Sequence, residues 1–223
     1  MLEALKLTSL RRFAAPAILA AWLLALTPGV RYLLAYETTP GKAAAAPEYW
    51  PSNVPATGDA RIPILVVALH PMCSCSRATL TELEEAASEF HHPYNALFLI
   101  DQPRGAQYVW QQVSYYRDAQ RSLNASVVLD EDGQLAARFG AFTSGEVLYY
   151  SAAEKDGRRR LLFSGGVTGS RGMVGPNAGI TALKLAVNQT AGSQQGSKPM
   201  THSPVFGCGF SALSEKSREQ RTQ

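Results

Sequence analysis

The chain carries no charged residue from Phe13 to Val30, and a second apolar patch, Tyr32 to Tyr36, follows Arg31. As a helix the first run is about 27 Å long, close to the hydrocarbon thickness of a bilayer. A buried helix of a soluble protein usually shows a polar face, and this run shows none, Thr27 standing alone. A cleaved signal peptide competes with a retained anchor. The small residues Ala43 to Ala46, however, lie too far from the apolar stretch for a cleavage site, so an anchor is expected. From Glu37 to about Ala60, Pro, Ala, Gly and Thr dominate without a period, which predicts a tether.

Buried α/β patterning begins next. Ile62 to Leu69 (IPILVVAL) is a continuous apolar, β-branched run, as a parallel strand covered on both faces requires. After His70-Pro71, the three- and four-residue spacing of Leu80, Leu83, Ala87 and Phe90 predicts a helix, with Thr79 and Glu82 as a capping box near its start. Tyr94 to Ile100 predicts a second buried strand, and Ala106 to Leu123 a helix. Ser126 to Leu129 predicts a short strand that enters the turn Asp130-Glu131-Asp132-Gly133. A brief helix, Leu135 to Phe139, ends at Gly140. Glu146 to Ser151 and Arg160 to Phe163 flank Lys155-Asp156-Gly157 and predict an antiparallel hairpin. A glycine-rich loop, Gly165 to Gly175, leads to a last amphipathic helix with Ile180, Leu183, Leu185 and Ala186. Beyond Gln189 the chain is polar, except at Pro204 to Cys208. The expected organisation is an anchor (1–36), a linker (37–60), an α/β domain (61–190) and a polar tail with a cysteine-containing patch (191–223).

Charge adds orientation and removes one class of partner. A net charge of +3 over 223 residues, with scattered Lys and Arg, is too small to argue for nucleic acid, and no nucleic-acid partner is expected. The triplet Arg158 to Arg160, beside Asp156 and Gly157, is expected at a solvated hairpin end. Lys6, Arg11 and Arg12 precede the apolar run, which favours a cytoplasmic N-terminus and a translocated domain. The expected location is a single pass through a bacterial inner membrane, with the domain in the periplasm or outside the cell. Three cysteines in an exported chain can form one disulfide and leave one thiol.

The candidate chemistry is His70-Pro71-Met72-Cys73-Ser74-Cys75-Ser76-Arg77, between the first strand and the first strong helix. The carboxyl end of a parallel strand is where reacting groups gather in an open α/β sheet. A helix N-terminus there stabilises thiolate over thiol, and Arg77 is expected to add to the effect. The predicted topology turns the loop Phe142-Thr143-Ser144-Gly145 toward the cysteines, with Thr143 as a candidate lining residue. It also turns Gly165 to Gly175 there, with Arg171 as another.

From Arg61 to about Gln189, the element order and the cysteine pair resemble the thioredoxin-like superfamily, in particular its membrane-anchored, exported members. On fewer features the chain is similar to a bacterial group labelled RedB. The resemblance implies a three-layer α/β sandwich of the βαβ-ββα type with a small central insertion. It also implies thiol–disulfide exchange on protein or small-thiol disulfides, with electrons from a membrane partner or a small thiol. The family pattern C-x-x-C departs here to Cys73-Ser74-Cys75-Ser76. The family's cis-proline position is filled by Thr143-Ser144, where a cis bond would cost about 3 kcal/mol. Cys73 is the expected attacking thiol, and Cys75 or Cys208 the resolving one, with His70, Pro71, Ser76 and Arg77 around them. No flavin or nicotinamide motif is present, and no cofactor is expected. The main alternative is a copper or zinc protein using Cys73, Cys75 and His70. A peroxidase reading fails on its motif, because position 78, counted from Pro71, holds Ala78. A tethered binding module without catalysis is the remaining alternative.

Overall fold

A computed structural model describes residues 2–42, 45–105, 114–189 and 201–210. The expected helical residues 106–113, and the tail residues 190–200 and 211–223, lie outside the described residues. The chain divides into two units, Met1–Thr39 and Pro40–Gln223.

The first unit is one helix, α1 (Leu2–Thr38). Its segment Ala14–Thr38, 25 residues of mean hydropathy 1.6, is long and apolar enough to cross a membrane. Pro16 and Pro28 lie inside it. One residue before Pro28, the hydroxyl of Thr27 donates to the Leu23 carbonyl.

The second unit is a six-stranded sheet, ordered β3-β2-β1-β4-β5-β6. β1 (Ile64–Leu69), β2 (Asn95–Gln102) and β3 (Ala125–Glu131) run parallel. β4 (Glu146–Tyr150) is antiparallel to β1, and β5 (Leu161–Gly166) is antiparallel to β4. With α2 (Ser74–Ala87), α3 (Ser114–Ser122), α4 (Gln134–Arg138) and α5 (Ala178–Gln189) this is the thioredoxin-like order that the sequence predicts. All of β1 is buried because apolar layers cover both faces. On one face Leu65, Val67, Phe98, Val147 and Tyr149 pack on Leu80 and Leu83 of α2, Tyr116 of α3 and Leu183 of α5. On the other, Val66, Leu97, Leu148 and Tyr150 meet Ala136 of α4, Phe139, Val54 and Phe210.

Four expectations are corrected. The capping box is not used: α2 begins at Ser74 with Cys73 as its N-cap, so Thr79 is already in the second turn. The stretch expected as a tether belongs to the second unit from Pro40 onward. There the Leu161 amide donates to the Glu48 carbonyl and the Trp50 amide to that of Arg159. The Trp50 ring stands edge-on to Phe139 at 4.9 Å. The arginine triplet is not uniformly solvated: Arg159 is 3% exposed and donates to the carbonyls of Ile62, Ser151 and Asp59. Finally, the tail contributes a strand, β6 (Thr201–Ser203), parallel to β5. Gly165 and Gly166 allow it to lie there. A Cβ on Gly166 would fall 2.6 Å from the Pro204 carbonyl oxygen, and one on Gly165 would strike Ser203.

Candidate active site

β1 hands over to α2 through His70-Pro71-Met72, and this turn fixes Cys73. The Cys73 amide donates to the His70 carbonyl at 3.1 Å, and the Tyr116 hydroxyl donates to the same carbonyl at 2.7 Å. The His70 amide donates to Ser76 Oγ at 2.9 Å. Cys73 has extended backbone angles (φ −106, ψ 123) at the N-cap of α2, and its sulfur caps no backbone amide of the helix. It therefore stands where the partial positive charge of the helix N-terminus favours an anion. Cys73 is only 4% exposed and Cys75, one helical step inside, 2%.

The third sulfur comes from the tail. Cys208 Sγ lies 3.2 Å from Cys73 Sγ, and Cys208 is exposed. Both thiols are free. Roughly 1 Å of approach separates this contact from a disulfide bond length. Ser144 joins the two sides. Its hydroxyl donates to Cys73 Sγ at 3.1 Å and accepts the Cys208 amide at 3.2 Å, while its own amide donates to the Cys208 carbonyl at 2.8 Å. Thr143 pairs with Gly209 in an antiparallel bridge, and the Phe210 amide donates to the Phe142 carbonyl at 3.2 Å. Gly207 is required by this approach, since a Cβ there would fall onto the Ser144 carbonyl oxygen. Arg171 donates to the Gly207 carbonyl from the other side.

These contacts separate the thiols electrostatically. Hydrogen bonds from the Cys208 thiol, then from Cys75, and a further one from Ser144, hold the Cys73 pKa well below the usual thiol range against the opposing effect of burial. Cys208, whose single thiol proton is shared between Cys73 and Cys75, is pushed up. For Cys75 the Cys208 thiol pulls downward. Its own hydrogen bond to Cys73, burial and the Cys73 charge outweigh that pull, and the net shift is upward. The directions of these shifts favour the ionised form at Cys73 over Cys75 and Cys208.

The other sequence-derived candidates are placed as follows. Pro71 is buried, and its carbonyl accepts a long bond, 3.5 Å, from the Tyr115 hydroxyl. Arg77 is exposed, with its guanidinium 5.7 Å from the Tyr115 ring centroid. Thr143 is buried and its hydroxyl donates to the Lys42 carbonyl, so it holds the arm and the segment after Pro40 in place of facing sulfur. His70 Nδ1 accepts the Met72 amide at 3.2 Å, and Nε2 lies 3.9 Å from Asp101; burial lowers the His70 pKa against an opposing pull from the Cys73 charge. Among the described residues no group of three or more His, Cys, Asp or Glu side chains is placed to hold a metal ion. Among the described residues no peptide bond is cis. Ser144, which touches both Cys73 and Cys208, is the contact that the sequence argument passed over in favour of its neighbour Thr143.

No protein-family model matches the chain, and no curated protein matches it. Among solved structures it is similar to a hypothetical protein from Sinorhizobium meliloti, at 18% identity over 77% of this chain and 93% of that one, with a TM-score of 0.48. It is also similar to a secreted disulfide oxidoreductase of Mycobacterium tuberculosis described as homologous to E. coli DsbE. That match has 18% identity over 58% of this chain and 81% of the other, with a TM-score of 0.33. A third is M. tuberculosis dsbF in mixed oxidised and reduced forms, at 15% identity over 59% and 82%, with a TM-score of 0.33. At such identities and scores these likenesses add nothing to the chemistry of the site, which stands on its own geometry.

Proposed function

We propose that this chain is a membrane-anchored thiol–disulfide exchange protein in which Cys73 attacks and Cys208 resolves. The observation that carries the reading is the 3.2 Å contact between the two sulfurs, with Ser144 hydrogen-bonded to both residues.

In the reducing direction the Cys73 thiolate attacks one sulfur of a substrate disulfide. A bond forms between Cys73 Sγ and that sulfur, and the other substrate sulfur leaves as a thiolate that takes up a proton. Cys208 then loses its proton and attacks Cys73 Sγ, which forms the Cys73–Cys208 disulfide and expels the second substrate thiolate. Two electrons pass from the protein dithiol to the substrate disulfide, and the reverse sequence oxidises a substrate dithiol. A lowered pKa suits Cys73 to both roles, because it is then present as thiolate and is also a good leaving group. Cys75 supports this by donating a hydrogen bond to that thiolate.

The substrates are disulfides of proteins or small thiols outside the cytoplasm, and the electron donor is a membrane partner or a small thiol. Support for that location comes from α1, whose apolar segment can cross a membrane, and from Lys6, Arg11 and Arg12 ahead of it, which favour a cytoplasmic N-terminus.

The test is a variant series assayed on a disulfide substrate. Cys73→Ser abolishes exchange, and Cys208→Ser accumulates a mixed disulfide on Cys73. Cys75→Ser turns over within about tenfold of wild type, the weight of one hydrogen bond to a charged group. Unimpaired turnover by Cys208→Ser, with the adduct accumulating in Cys75→Ser, would contradict the assignment.

A further inference from the structure

Cys73 is nearly inaccessible, and what covers it is the chain's own tail. Cys208 occupies the approach to Cys73 Sγ at 3.2 Å. The substrate sulfur of the exchange proposed above, on which this inference rests, needs that same place. The residues around Cys208 are held chiefly through backbone: the Ser144 amide on the Cys208 carbonyl, the Phe210 amide on the Phe142 carbonyl, and the Thr143–Gly209 bridge. Ladder bonds of this kind are made by any extended segment, and side-chain pockets then provide selection.

Three positions of the arm differ in what they permit. At 207 only glycine fits, because a Cβ would fall onto the Ser144 carbonyl oxygen. At 209 a side chain has room, since a Cβ would meet only the Phe142 carbonyl oxygen, at 3.8 Å. At 210 the phenylalanine ring is 1% exposed and enters the apolar layer against Ala141, Leu148 and Tyr150.

We infer that Gly207–Phe210 is a tethered pseudo-substrate: the Phe142–Ser144 edge binds an extended polypeptide carrying glycine, cysteine, any residue and an aromatic in succession, and such a partner must displace the arm to reach Cys73. A tether of this sort supplies an effective concentration in the millimolar range or above, so the intact chain is a poor binder of its own substrates until the arm is displaced.

The experiment uses the reduced full-length protein in detergent and a fluorescent peptide copying residues 203–210 with Cys208→Ser, so that no covalent bond contributes. Anisotropy is measured on wild type and on two variants that loosen the arm, Phe210→Ala and Gly207→Val. Both variants are expected to bind the peptide at least about tenfold more tightly than wild type, the gain from removing a tethered competitor. The same peptide carrying Gly207→Val is expected to bind at least tenfold more weakly, and one carrying Gly209→Val equally well. Exchange of Cys73 with glutathione disulfide is followed in parallel on every protein. Equal peptide affinity for wild type and both variants, or indifference to Gly207→Val in the peptide, overturns the pseudo-substrate. Persisting exchange with glutathione disulfide in that case leaves the proposed function standing. Peptide binding as expected with no exchange at Cys73 would sink the function and keep the binding edge.

Discussion

Cys73 is buried at a junction whose backbone bonds come from its own neighbourhood, the His70 carbonyl behind it and the Arg77 amide ahead of it. Cys208 is exposed, on an arm whose partners are spread from Gly41, which donates to the Val205 carbonyl, to Arg171 on Gly207. One sulfur is fixed by a strand, a turn and a helix that short-range patterning dictates. The other is fixed by close backbone approaches that depend on Gly165, Gly166 and Gly207 lacking a side chain. The junction depends on local bonds, whereas filling Gly165, Gly166 or Gly207 is expected to undock the arm. On the proposed function, the pair joins a nucleophile held by local structure to a resolving thiol on a displaceable arm.

The sharpest way to break this contrast is Gly166→Val. Its Cβ would lie 2.6 Å from the Pro204 carbonyl oxygen and 3.0 Å from Val205 Cα, so the arm is expected to undock while α2 stays in place. Closure of the Cys73–Cys208 disulfide, measured against glutathione, should lose about a thousandfold in effective molarity, the difference between an oriented pair and a loose tether. An unchanged value would mean that the arm does not depend on this glycine.

Glu146 opens β4 next to the loop that receives the arm. Burial pushes its pKa up to about 8, against a smaller opposing effect of the Phe142 and Thr143 amides. The native state thus holds a proton that the unfolded chain releases above about pH 4.5. The associated stability is present at acid pH and is lost as pH rises toward 8. Glu146→Gln removes that slope, so at pH 9 it should be the more stable protein by roughly 2–4 kcal/mol, checked by urea melts at pH 5 and pH 9. The same gain at both pH values would show that the carboxyl is not protonated on folding.

Smaller effects separate the groups touching Cys73. Ser144→Ala loses the hydroxyl that donates to Cys73 and accepts from Cys208. It should raise the Cys73 pKa by about one unit, read as a shift in the midpoint of the pH profile of Cys73 alkylation. Arg77→Ala should move that midpoint by less than about 0.3 unit, because the guanidinium is exposed and lies over Tyr115. A full-unit shift at Arg77 and none at Ser144 would reverse the electrostatic picture.

The same contrast decides what the sequence discloses. The apolar run before His70 and the helical spacing of Leu80 and Leu83 place β1, α2 and the Cys73 junction, because local period sets local structure. The antiparallel return at Glu146 is legible from its turn, and with it the loop that meets the cysteines. Thr143 and Ser144 are not told apart, because which of two adjacent side chains meets sulfur depends on register. The segment after Pro40 looks like a tether by composition, yet Trp50 and Val54 are its apolar anchors. β6 is too short to show a period, and its trace in the sequence is the Gly165-Gly166 pair on another strand.

The most direct measurement is disulfide mapping across a redox titration of the full-length protein. The expected result is a reversible two-electron transition with a crosslink between the peptides containing Cys73 and Cys208, and with Cys75 alkylated throughout. A Cys73–Cys75 crosslink, or three cysteines that stay reduced across the titration, would contradict exchange through this pair.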